Sequence, residues 1–149
     1  MDTTKIYPRI WLGSVPPMGK ELSAAGFDTL VLCAEEFQPD ATSFPGLKRV
    51  IHAPMGDNDD PTNFDLAVRA AEAVKREWSR NRNILVSCHM GRNRSAFVAA
   101  LALFFITGQS MRDIVDHIRS SRRDPLGVRA LQNPHFSQFL KSVGSTASL

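Results

Sequence analysis

Short apolar runs alternate along the chain with segments of helical period. Ile6-Tyr7 and Ile10-Trp11-Leu12 flank the turn-forming pair Pro8-Arg9 and predict two short strands. Gly13 to Pro17 reads as a loop, and Met18 to Ala25 as a short helix stopped by Gly26. Thr29 to Cys33 is a continuous apolar run with β-branched members, the pattern of a buried parallel strand. Residues 34–47 hold Pro39, Pro45 and Gly46 and predict a long loop, followed by a strand over Arg49 to Ala53. Residues 54–61 combine two prolines, a glycine and four Asp/Asn residues, a composition that predicts no regular structure. Thr62 then opens a helix with Asp65 as its capping-box partner. Ala67, Ala70, Ala71, Val74 and Trp78 form its apolar stripe, with Arg69, Glu72, Arg76 and Arg80 off that stripe.

Ile84 to Ser87 predicts a central strand, Cys88 to Arg94 a loop, and Ser95 to Thr107 an apolar helix ended by Gly108. Ser110 with Asp113 caps the next helix, which runs to about Arg122, and Asn133-Pro134 opens a last helix ending near Val143. Gly144 to Leu149 reads as a small, polar, frayed tail. Strands alternating with helices imply an α/β fold: a single domain, residues 1–149, with a central, mostly parallel sheet of about five strands flanked by helices. Ligands of such sheets bind beyond the carboxyl ends of the strands, where the 88–94 loop is expected.

Composition narrows the class. The chain has 149 residues, 43% of them apolar, enough for a core without disulfides or metals. Two cysteines, Cys33 and Cys88, make no disulfide scaffold and no CxxC pair, so neither a metal nor a cofactor is implied. The polar N-terminus lacks the apolar core of a signal peptide, and the longest apolar run, Ala96 to Ile106, is 11 residues where a membrane span needs about 20. A reducing cytoplasm is the expected compartment. Residues 28–65 carry eight acids and two bases, whereas residues 69–94 carry two acids and seven bases, an asymmetry compatible with an anionic ligand.

The chemistry concentrates in Ser87-Cys88-His89-Met90-Gly91-Arg92-Asn93-Arg94-Ser95. A loop between a strand and a helix N-terminus offers unpaired backbone N–H groups to an anion. Gly91 permits the curled backbone that turns them inward, and the positive field there favours a thiolate at Cys88. Arg94 adds a planar fork for two phosphate oxygens. The lysine of the usual nucleotide-binding loop is missing, so magnesium is not implied. His89, Met90, Gly91, Arg92, Asn93 and Arg94 are thus candidate phosphate binders around the nucleophile Cys88, and a phosphate- or sulfate-like anion is the expected occupant. The 54–61 loop can supply an acid to the leaving oxygen from Asp57, Asp59 or Asp60 if it is mobile and closes on substrate.

Cys88-x-x-Gly91-x-x-Arg94-Ser95 resembles the signature of the cysteine-dependent protein tyrosine phosphatases, specifically their small, atypical dual-specificity branch. Ile10-Trp11-Leu12-Gly13-Ser14 is similar to that family's opening strand, and His52-Ala53-Pro54-Met55-Gly56-Asp57 to the strand leading to its general acid. Leu131-Gln132-Asn133-Pro134-His135-Phe136, with Phe139-Leu140, resembles its closing Pro-Asn-x-x-Phe region with Asn and Pro reversed. The likeness covers about residues 5–143, and the acid loop precedes the cysteine loop, unlike in low-molecular-weight tyrosine phosphatases. It implies Cys88 as nucleophile, Arg94 as phosphate ligand, Asp57 as general acid and base, and Ser95 as a hydrogen-bond donor to the sulfur. One departure is Ser87, where the family usually has His.

The resemblance implies a phosphorylated protein as substrate, through phosphotyrosine and, in a shallow pocket, phosphoserine or phosphothreonine. His89 and Arg92 also suit a phosphoinositide or an RNA 5′-phosphate, but no aromatic platform for stacking bases is evident, so nucleic acid is not the expected partner. A phosphate-binding pseudophosphatase is the remaining alternative. Leu32-Cys33-Ala34-Glu35 resembles a segment of the phosphatase-and-tensin branch, which implies Cys33 as a reversible disulfide partner of Cys88. Arg92 is expected at the loop rim, and Arg119-Ser120-Ser121-Arg122-Arg123 as a solvated helix end complementing the dipole. His52 and His117 read as ordinary strand and helix residues, and Phe97, Phe104 and Phe105 as core.

Overall fold

The apolar run at residues 29–34 becomes the inner strand of a five-stranded sheet. In the computed structural model, which describes residues 1–147, the strand order is β1 (Thr3–Tyr7), β2 (Ile10–Gly13), β5 (Ile84–Ser87), β3 (Thr29–Ala34) and β4 (Arg49–Met55). All six residues of β3 are buried, because β5 and β4 flank it and both sheet faces are covered. Every pairing is parallel except that of β1 with β2. The expected mostly parallel sheet is therefore present.

One face carries most of the helices. α2 (Thr62–Ser79), α3 (Arg94–Thr107), α4 (Met111–Ser121) and α5 (Pro134–Ala147) pack there around a common core. Residues 94–103 of α3 are buried without interruption, so this helix has no polar face and sits inside the layer. Phe97 stacks on Phe136 with centroids 4.4 Å apart, and Phe64 on Phe139 at 4.5 Å, joining α2, α3 and α5. The opposite face is covered by α1 (Glu21–Ala24) and the 34–47 loop over Leu22, Phe27, Leu30, Leu32, Phe44 and Leu85. No helix among the described residues is long and apolar enough to cross a membrane.

Several local expectations are corrected. β4 runs on through Pro54 and Met55, which the composition had assigned to the loop; β4 is an edge strand, where a missing N–H leaves no ladder bond unmade. α1 starts at Glu21 rather than Met18, since Gly19 holds a left-handed φ of 97°. Thr62 and Asp65 do not form the capping box: Asp60 Oδ1 accepts from Thr62 N at 3.0 Å and Thr62 Oγ1 at 2.9 Å. Ser110 does cap α4, accepting from Asp113 N at 3.2 Å. α5 continues to Ala147, so residues 144–147 are helical rather than a frayed tail; residues 148 and 149 lie outside the described residues. Glu77 on α2 is fully buried, accepting from Thr29 Oγ1 at 2.8 Å and Arg82 Nη1 at 2.9 Å. Burial pushes its carboxyl up, but these bonds outweigh burial and hold it below the usual value.

Candidate active site

Residues 88–93 leave the carboxyl end of β5 between two parallel neighbours, with Ser87 paired to Gly13 on one side and Leu32 on the other. Cys88 N donates to Gly13 O at 3.2 Å, which fixes the first residue of the loop to the sheet. None of the N–H groups of residues 89–94 enters a backbone–backbone hydrogen bond among the described residues, so they remain available at the N-terminus of α3. The first turn of that helix carries no acid to compete for them. Cys88 Sγ lies 3.2 Å from Ser95 Oγ, and both residues are buried. Ser87, the departure from the family pattern, is buried and donates to Val31 O at 3.1 Å.

The curl of the loop depends on Gly91, at φ 67°. A Cβ there would land on Nη2 of Arg122 and come within 2.7 Å of the Gly13 carbonyl, so only glycine fits. Arg122 is the largest correction to the sequence reading, which placed it on a solvated helix end. Its side chain is completely buried. It donates from Nε to Gly91 O at 3.1 Å and from Nη2 to Met90 O at 2.9 Å. Asp2 neutralises it through bonds of 2.7 and 2.9 Å, and Thr4 Oγ1 accepts at 3.2 Å. Drawing these two carbonyls toward Arg122 leaves the loop's N–H groups for the opposite side. Burial raises the Asp2 carboxyl, but the hydrogen bond and charge of Arg122 bring it below its ordinary value.

Arg94 opens α3 and is held by a residue that the sequence reading missed. Glu36 accepts from its Nη1 at 2.7 Å and Nη2 at 2.6 Å, and Met55 O accepts from Nη1 at 3.0 Å. A guanidinium has five N–H bonds. Three are thereby used, and the Nε–H and the second Nη2–H remain as a side-by-side pair, the fork that matches two phosphate oxygens. The Arg94 hydrogen bond holds the Glu36 carboxyl below its usual range, and Glu36 in turn outweighs burial to raise Arg94. The available signal for Glu36 was an acid just past the end of the strand beside the loop strand.

Asp57 is the acid of the 54–61 loop that meets the 88–94 loop. Its Oδ2 accepts from Asn93 Nδ2 at 2.8 Å and its Oδ1 from Asn133 Nδ2 at 2.8 Å. Asp60 is spent on the cap of α2, and Asp59 is exposed. Asn133 and Phe136 keep the three-residue spacing of the resembled motif, and the reversed proline only opens α5. Asn133 Oδ1 also accepts from His135 N at 2.9 Å, so one side chain caps α5 and holds Asp57. The loop is tied to the first turn of α2 by one side chain. Asn63 accepts from Gly56 N at 3.1 Å and donates to Gly56 O and to Asn58 Oδ1, both at 2.9 Å.

The other candidates divide. The Arg92 guanidinium leaves the rim and pairs with Asp124, its Nε 2.5 Å from Oδ2. His89 is exposed and Met90 half-buried. Cys33 on β3 follows Leu32, the register partner of Ser87, and Cys88 follows Ser87 just past the end of β5, both as free thiols. Burial pushes the Cys33 thiol well up, and Cys88 adds to this. His52 Nε2 lies 2.9 Å from Pro39 O and His117 Nε2 2.6 Å from Ile6 O, both away from the loop.

No protein-family model and no curated protein matches the chain. Solved structures do. Human DUSP28 superposes with a TM-score of 0.80 at 22% identity, covering 97% of both chains. A mouse dual-specificity phosphatase in complex with zinc tungstate gives 0.80 at 23%, covering 97% of this chain and 87% of its own. Tk-PTP in its active form gives 0.78 at 20%, covering 97% of both. The chain thus has the fold of the small, atypical dual-specificity phosphatases of the cysteine-dependent protein tyrosine phosphatase superfamily.

Proposed function

We propose that the protein hydrolyses phosphomonoesters on proteins, phosphotyrosine and, where the pocket is shallow enough, phosphoserine or phosphothreonine, through a cysteinyl-phosphate intermediate. The observation that carries this reading is the buried Cys88 Sγ, 3.2 Å from Ser95 Oγ, at the start of a loop whose N–H groups are unused. Cys88 thiolate attacks phosphorus in line. The loop N–H groups and the free Nε and Nη2 hydrogens of Arg94 hold the equatorial oxygens, more tightly as charge builds in the transition state. Asp57, protonated, gives its proton to the departing oxygen, leaving phosphate bonded to sulfur and a carboxylate at Asp57. A water then loses its proton to Asp57 and attacks phosphorus. Sulfur leaves as thiolate, with the Ser95 hydroxyl donating to it.

Neighbours named as dual-specificity and tyrosine phosphatases support a phosphoprotein substrate. The ion pair of Arg92 with Asp124 favours it over phosphoinositides or RNA 5′-phosphates, since it neutralises the extra charge such ligands would use. The test is steady-state hydrolysis of an aryl phosphate with chelator present. Cys88→Ser and Arg94→Ala abolish turnover, and Asp57→Asn lowers it and flattens the basic limb of the pH profile. A wild type that binds vanadate tightly without turnover would make the protein a phosphate-binding pseudophosphatase. The reading includes Cys33 as redox partner: peroxide oxidises Cys88 to the sulfenic acid, and the Cys33 thiol displaces water to form the disulfide. Peroxide-treated protein showing overoxidised Cys88 and no Cys33–Cys88 link by mass spectrometry refutes that part alone.

A further inference from the structure

A second cavity, of about 840 Å³, opens between the end of α3 and the facing sides of α4 and α5. Its floor is apolar, from Phe104, Met111 and Val115, and three cations line it, Arg112, Arg119 and Lys141, against the one acid Asp116. Gly144 sets the approach of the two helices, since a Cβ there would stand 2.8 Å from the Met111 Cβ. Arg112 and Lys141 are exposed and join no ion pair among the described residues, unlike Arg80, Arg82, Arg92, Arg94 and Arg122, which all face carboxylates. Arg119 Nη2 donates to Leu131 O at 2.9 Å and Ser137 Oγ at 3.1 Å, yet its Nε–H is buried with no protein acceptor. Two unpaired cations beside an apolar floor, with Arg119 on the wall and a single acid, suit an anion attached to an apolar body. The volume is that of a small-molecule site.

The cavity is also wired to the catalytic loop. Leu131, whose carbonyl Arg119 holds, donates its own N–H to Arg92 O at 2.8 Å. It is fully buried and stands at φ 60°, a left-handed conformation that a leucine keeps only under external constraint. Arg119 supplies part of that constraint, so whatever orders its guanidinium acts on the segment that meets the loop. We propose that this cavity binds a small anionic amphiphile, an alkyl or aryl carboxylate, sulfonate or phosphate, and that its occupancy is felt at residues 130–133.

Binding in this cavity is independent of turnover and is read by amide NMR of the nitrogen-labelled full chain. Octanoate and anilinonaphthalene sulfonate serve as separate probes of the carboxylate and sulfonate heads. The expected result is saturable shifts at residues 108–112 and 141–145, followed by residues 130–133. The double variant Arg112→Glu, Lys141→Glu should keep a folded spectrum and bind either probe at least about tenfold more weakly. Arg112→Glu places an acid in the first turn of α4, which suits the helix dipole. Equal binding of octanol, equal binding by the double variant, or shifts confined to residues 88–94 would overturn the site. Shifts in the cavity without any at residues 130–133 would overturn the coupling.

Discussion

Replacing Arg122 with Met removes a buried cation while roughly filling its volume. Asp2 loses both of its guanidinium bonds, and Met90 O and Gly91 O lose their only donors from this side chain. Asp2 is about a third exposed and is resolvated once Arg122 is gone, so the lost pair costs about 1 kcal/mol. Each orphaned loop carbonyl adds about 1 kcal/mol, the low end of the usual range, because water can reach a surface loop. The sum, about 3 kcal/mol before relaxation, is a sizeable part of a domain's stability of about 5–15 kcal/mol. At about 2–4 °C per kcal/mol for a chain of this size, the melting temperature should fall by about 6–12 °C. Arg122→Lys keeps the charge but cannot span Asp2 and both carbonyls, and should fall in between. In folded protein at low temperature, Arg122→Lys should also slow aryl phosphate turnover about a hundredfold through misdirected N–H groups. Differential scanning calorimetry and steady-state kinetics on the same samples read both effects. An Arg122→Met variant melting within about 2 °C of the parent would refute the stability reasoning, and an Arg122→Lys variant with full turnover would refute the bracing role.

Glu36→Gln leaves the fold intact, since the side chain is half-exposed, but loosens the Arg94 fork, and kcat/KM for an aryl phosphate should drop about tenfold; an unchanged value contradicts the positioning role. Asn133→Ala removes a helix cap and a bond to Asp57, and should cost about 1 kcal/mol in urea denaturation. The same variant should slow alkyl phosphate hydrolysis more than nitrophenyl phosphate hydrolysis, because only the poorer leaving group needs the full acid; equal slowing contradicts this. Asp2, Glu77 and Asp124 all have carboxyls lowered in the folded state, so the stability they contribute is complete above their unfolded pKa values and is lost as pH falls through the folded ones. Urea midpoints should hold flat from about pH 5 to 7 and fall below about pH 4, with a shallower fall in Glu77→Gln; a decline beginning near neutrality points to other groups.

The features legible in the chain are those written in local pattern. β3 announced itself by an unbroken apolar run, α3 by another, and the 88–94 loop by a glycine and an arginine at fixed distances from a cysteine between them. What escaped depends on partners distant in sequence. An arginine at the end of α4 looks solvated until Met90, Gly91 and Asp2 are known to surround it, and nothing within several residues of Arg122 encodes them. Glu36 lies in a stretch that reads only as loop, and its meaning comes from Arg94 across the β3–β5 pair. Pro54 looked like a strand breaker because edge position is a property of the sheet and not of the segment. Asp57 was singled out by the family resemblance, but its partners Asn93 and Asn133 are two amides with no local tie to it.

The tether at Asn63 has a kinetic side. Because that residue grips Gly56 on both its N–H and its C=O, the acid's root belongs to the first turn of α2 rather than to a hinged flap. Moving Asp57 far from the thiol therefore means unwinding helix, not rotating a loop. The carboxylate is held in turn by Asn93 and Asn133, and exchange of these two bonds is a side-chain motion of nanoseconds rather than a loop swing of milliseconds. In the proposed mechanism, warming removes the Asp57 proton donor first, as the end of α2 frays, while Cys88 and the 88–94 loop stay assembled on the sheet.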